Sequence, residues 1–186
     1  SDSPAIFEKQ IEFIQKSKIP TAMVGILNAP RGSRLFERLQ KEGRLLKEAT
    51  GDNTDFSTNI IPKMGYEKLA EGYRYIVNGI YSPRLYYERV RGFLRQYKPL
   101  EKRKWHFHFR YLRWYFPYLG APFKALMILG IKDRARIYYW KLFFWSLFRR
   151  PLLLPLAITY SIYGFHFRII FKLNFDTNLV HQEKTI

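Results

Sequence analysis

The chain has 186 residues, 47% of them hydrophobic, with 32 Lys+Arg against 15 Asp+Glu, a net charge of +17 and no cysteine. That much apolar material excludes a globally disordered chain and fits one domain, or one domain with a piece of another. The missing cysteine excludes disulfides, thiolate zinc sites and iron–sulfur ligation by this chain, and it fits a reducing compartment.

The opening SDSPAIFEKQ has neither the basic start nor the apolar run of a signal peptide. Ser3 and Pro4 suit a helix start, and Phe7, Ile11 and Ile14 recur at helical spacing up to a stop before Pro20. TAMVGIL, residues 21–27, is a continuous apolar run that predicts a strand buried on both faces. Asn28 to Gly32 turns the chain. Ser33 caps a helix to about Glu42 with Leu35, Phe36 and Leu39 inward, and Gly43 closes it. A polar connection follows, with a short strand near Thr58 to Ile61.

Two amphipathic helices come next. The first carries Leu69, Tyr73, Ile76, Val77 and Ile80; the second, announced by Ser82-Pro83, carries Tyr86, Val90, Phe93, Leu94 and Tyr97. The short link between them predicts a helical hairpin. From Lys98 the texture changes, and charge shifts with it. Residues 1–97 hold 16 basic and 11 acidic side chains, and residues 98–186 hold 16 and 4. The spacing predicts broken helices interrupted at Pro117, Gly120-Ala121-Pro122 and Gly130. A better helix follows over about Asp133 to Phe148. Residues 151–173 are then helical with a bend near Pro155, and a frayed tail begins after Asp176.

Two stretches carry a family resemblance. MVGILNAPRGSRLFERLQKEGRLL, residues 23–46, resembles the last strand, turn and helix of a radical SAM partial barrel in the branch with an N-terminal cobalamin-binding domain. The second pattern runs from GDNTD through NIIPKM and IYSPRLYYERV to the aromatic-basic tail. It resembles the helical C-terminal domain of unknown function that follows the barrel in those enzymes.

The resemblance implies a mainly α fold: a helical domain preceded by a short strand–helix remnant of the (β/α) barrel. It implies four segments, with the barrel remnant at 1–48, a polar connection at 49–64, the helical aromatic and basic domain at 65–176 and the tail at 177–186. The parent would bind SAM and a 4Fe–4S cluster, with cobalamin as a further candidate. It would cleave SAM reductively to a 5′-deoxyadenosyl radical and modify or methylate a substrate. This chain would close the barrel and shape the substrate pocket without catalysing anything alone. Its partners would be the cobalamin-binding and radical SAM domains of the same parent chain.

On that resemblance Leu27, Asn28 and Ala29, at the carboxyl end of the strand, would face the SAM adenine. The plainer reading makes Leu27 and Ala29 packing and Asn28 a turn residue. Asn53, Asp55 and Asn59 would line the substrate pocket from the connection, against a plainer reading as Asx-turn residues of a solvated loop. His106 and His108, two apart in a helical texture among cations, diverge and make no metal pair. No metal ligands and no catalytic residues are assigned.

The alternative function is a non-catalytic basic module that binds a membrane surface or a partner. From Pro151 to Phe167 there is no charged side chain, but Pro155, Ser161, Gly164 and His166 interrupt the run. Aromatic residues among Lys and Arg have the composition of an interfacial segment on an anionic membrane. Nucleic acid ranks last, because the aromatics come in solid blocks that read as burial. The expected location is cytoplasmic, with peripheral contact on the inner membrane face under the membrane alternative.

Overall fold

The structure, a computed structural model, describes residues 5–46, 58–98 and 120–183. These residues are mainly helical: α1 (Ala5–Ser17), α2 (Arg34–Lys41), α3 (Tyr66–Ile80), α4 (Pro83–Gln96), α5 (Gly120–Met127), α6 (Arg136–Arg149) and α7 (Leu154–Glu183). No strand occurs among them. One isolated antiparallel bridge joins Leu45 and Ile60, where a short strand is predicted. The chain divides into two compact units: Ser1–Ser17, Ala22–Tyr81 and Phe167–Ile186 form the first, and Lys18–Thr21 with Ser82–His166 form the second.

In the first unit α1 lies along α3. The contact is close because α3 offers glycine where α1 offers bulk. A Cβ on Gly72 would collide with the Phe7 ring, and one on Gly79 would sit 2.7 Å from Cδ1 of Ile11. Phe7 and Ile11 are one helical turn apart, and Gly72 and Gly79 two turns apart, so each pair shares a face. The neighbouring stripe of α3, Tyr73, Ile76, Val77 and Ile80, is buried as its spacing predicts. Tyr81 is buried against Phe167 and Phe171, at ring separations of 4.9 and 5.6 Å.

α2 starts and stops as its sequence predicts. Ser33 Oγ accepts from the Phe36 amide, and the Ser33 hydroxyl donates to Pro30 O. At the other end Gly43 sits at φ 62°. The Arg44 amide bonds back to Leu39 O, and that of Gly43 to Gln40 O. This pair of bonds is a Schellman closure, which needs a left-handed residue and so favours glycine.

In the second unit the buried stripe of α4 is Tyr86, Tyr87, Arg89, Val90 and Leu94. The expected interruption at Gly130 takes the form of one wide π turn, Ile128–Lys132, closed by the Asp133 amide on Ile128 O. Trp140 packs on Gly130 and donates its indole N–H to Gly130 O at 3.0 Å. The bend expected at Pro155 is a helix start instead. A 3-10 turn over Pro151–Leu153 precedes α7, and Pro155 falls in its first turn, where a missing N–H costs nothing. The helix runs on to Glu183, past the predicted start of the tail. Pro117 lies outside the described residues.

Candidate functional site

Residues 21–30 precede α2 without regular secondary structure. Exposure alternates along residues 22–27 with the period of two of an extended chain. Ile26 is buried, while Met23 is 74% and Leu27 65% exposed. The sequence reading of burial on both faces therefore holds for one face only. A run buried on both sides needs covering elements on both sides, and the described residues cover one.

Side chains bond the backbone of this segment at Ala22, Leu27 and Ala29, where a sheet would supply neighbours. The Tyr81 hydroxyl donates to Ala22 O at 2.8 Å and accepts from the Ala22 amide at 3.3 Å. Thr58 Oγ1 donates to Leu27 O at 2.8 Å. The amide of Asn59 clasps Ala29 from both sides: Oδ1 accepts from Ala29 N and Nδ2 donates to Ala29 O, each at 2.8 Å. Asn28 returns the contact, its Oδ1 accepting from the Asn59 backbone N–H at 3.0 Å. In the second unit, Arg89 donates to Ile19 O at 2.9 Å and Pro20 O at 3.2 Å.

The clasp is held from below by a small core. Ala29, Leu39 and Ile60 are buried together, with Leu35, Phe36 and Leu45 against them. Leu46 N bonds Asn59 O, Ile61 N bonds Arg44 O, and the Arg44 guanidinium also donates to Ile61 O. Arg44 reaches Glu42 as well, and that hydrogen bond holds the Glu42 carboxyl below its ordinary range.

Four residues named from the sequence thus meet: Leu27, Asn28, Ala29 and Asn59. Their environments differ. Ala29 and Asn59 are buried with their polar groups facing each other, Asn28 is half-buried, and the Leu27 side chain is open to solvent. Asn53 and Asp55 lie outside the described residues, as do His106 and His108. Thr58, Tyr81 and Arg89 are missed by sequence reasoning. Thr58 and Tyr81 act on backbone more than thirty positions away, and such contacts leave no periodic trace.

No group of three or more His, Cys, Asp or Glu that could hold a metal ion occurs among the described residues. A shallow groove of about 490 Å³ lies between α1 and α3, lined by Phe7, Glu8, Met64, Lys68, Glu71 and Tyr75. One stretch, Pro151–Lys172, is long and apolar enough to cross a membrane by length and composition. Within the second unit its small side packs inward: Ala157, Ser161 and Gly164 are buried, and Gly164 lies against the Tyr86 ring.

The described residues are thus mainly helical, with Thr, Asn and Tyr side chains clasping the irregular segment that precedes α2. Residues 33–177 match the family described as a domain of unknown function, DUF4070, and the chain belongs to that family. It is also similar to the "Uncharacterized methyltransferase sll1242" of Synechocystis sp., at 30% identity over 166 residues. The match covers 86% of this chain and 29% of that protein, so the chain spans less than a third of that relative's length. No solved structure matches the chain.

Proposed function

We propose that this chain is the C-terminal accessory region of a radical SAM enzyme that modifies or methylates its substrate, and that residues 21–29 are the last strand of the parent's partial barrel. The observation that carries the reading is the half-covered segment 22–27. Met23 and Leu27 present apolar side chains to solvent while side-chain bonds hold the backbone at Ala22 and Leu27. An exposed apolar face on a braced, extended segment is what a barrel strand offers to covering helices or to the barrel interior. Family membership and the likeness to a protein named as a methyltransferase support the same reading.

The residues present fit part of the cofactor set. Leu27 is apolar, exposed and next to half-buried Asn28, so it can pack an adenine ring at the carboxyl end of the segment. The chain has no cysteine, so cluster ligands must come from the parent's other domains, as must any cobalamin site. SAM, when bound, would supply the methyl group or the radical precursor. Asn59 would shape the pocket by fixing Ala29, and Asn53 and Asp55 would line it from the connection.

The test uses the parent protein, the polypeptide encoded upstream of Ser1 included. A three-cysteine motif in that polypeptide and 5′-deoxyadenosine formation after cluster reconstitution are expected. Leu27→Glu should weaken SAM binding about tenfold, equivalent to ~1.4 kcal/mol, with the cluster's absorption spectrum unchanged. A parent without the cysteines, or unaltered SAM affinity in the Leu27→Glu variant, overturns the proposal.

A further inference from the structure

We infer that the face formed by α4 and the C-terminal half of α6 is a docking surface for an anionic lipid bilayer, read by Arg91, Arg95 and Arg149 around Trp145, with Phe148 and Leu152 as the inserting apolar groups. This surface lies in the second unit and stands whatever the chemistry of the parent.

The geometry is specific. Arg91 and Arg95 are one turn apart on α4, and both guanidinium groups lie over the Trp145 indole, at 5.2 and 5.8 Å from the ring. Trp145 and Arg149 are one turn apart on α6 and so share a face. Arg150 holds the two helix ends together, donating to Arg95 O at 2.7 Å and to Tyr97 O at 3.3 Å. Arg91, Arg95 and Arg149 are all exposed. Partial burial, and then the neighbouring charges of Arg95 and Arg149, holds the Arg91 pKa below its ordinary value. Three cations held against each other in this way favour an anion between them.

Composition extends the argument. The described residues of the second unit hold 13 Lys and Arg and two acidic side chains, Glu88 and Asp133. Next to Arg149 and Arg150 in the chain, Phe148 is 78% and Leu152 59% exposed. Cations flanking exposed apolar side chains are the composition of a surface that lies at the headgroup boundary. A nucleic acid would need free ring faces for its bases. Here two guanidinium groups already cover Trp145, and the uncovered apolar groups include an aliphatic side chain. A bilayer with acidic headgroups suits that pairing better.

Flotation of the full-length protein with phosphatidylcholine vesicles, with and without phosphatidylserine, tests the inference. Binding should require phosphatidylserine and fall with salt. The triple variant Arg91→Gln, Arg95→Gln, Arg149→Gln should bind roughly fivefold more weakly per arginine, on the order of a hundredfold in all. A charge-matched control, Lys124→Gln, Arg134→Gln, Lys141→Gln, should change binding by less than about tenfold. Phe148→Ser with Leu152→Ser should abolish the part of binding that survives high salt. Far-UV circular dichroism confirms that each variant is helical. Equal binding to neutral and anionic vesicles, equal losses in both triple variants, or a mixed oligonucleotide that displaces the chain from vesicles through the same three arginines overturns the inference. SAM binding by the parent is unaffected by these variants, so failure here is distinct from failure of the enzymatic reading.

Discussion

Asn59→Ala is the sharpest test of the clasp. Asn59 is 5% exposed and Ala29 1%, and two 2.8 Å hydrogen bonds join the side-chain amide to both polar groups of Ala29. Truncation leaves the buried Ala29 N–H and C=O unpaired. Each such orphan costs about 1–3 kcal/mol, so the loss should be about 2–6 kcal/mol. That is a large share of a typical stability of roughly 5–15 kcal/mol. The local readout is hydrogen exchange at the Ala29 amide, whose protection should fall at least about thirtyfold, since ~1.4 kcal/mol is a factor of ten.

Asn59→Asp separates hydrogen bonding from shape. One carboxylate oxygen still accepts from Ala29 N, but the other faces Ala29 O with no proton to give. Burial raises the pKa of the introduced carboxyl above its unfolded value. The folded state therefore binds the proton more tightly, and the variant should gain stability as pH falls towards about 4. Protection at Ala29 within threefold of wild type in the Asn59→Ala variant would refute the reasoning.

Two further expectations follow from packing. Gly72→Ala places a methyl group in the Phe7 ring, so urea denaturation should show a loss of about 1–3 kcal/mol, and the same substitution should cost far less in a Phe7→Ala background. Ser146 is fully buried on α6 with its hydroxyl unpartnered; Ser146→Ala should be neutral or raise stability by about 1 kcal/mol in thermal melts.

Much of the helical content is legible in the chain. Leu69 through Ile80 and Tyr86 through Leu94 mark their inward faces by spacing alone, because a helix repeats its face every 3.6 residues wherever it sits. Ser33 and Gly43 mark the ends of α2 for an equally local reason, since a cap needs one side chain or one left-handed residue. The run at residues 21–27 is different. Its apolar composition promises a strand, but pairing depends on what lies beside it, and among the described residues that neighbour is a set of hydroxyl and amide groups.

Amino-acid order alone determined where α2 begins and ends, which faces of α3 and α4 turn inward, and that the chain carries no cysteine. Tertiary structure decided that Asn59 grips Ala29, that Tyr81 replaces a strand partner at Ala22, and that two arginines of α4 meet a tryptophan of α6. The reason is range. Helical signals act over a few residues, whereas each of these contacts joins groups 30 or more positions apart, and only the folded chain brings them within bonding distance.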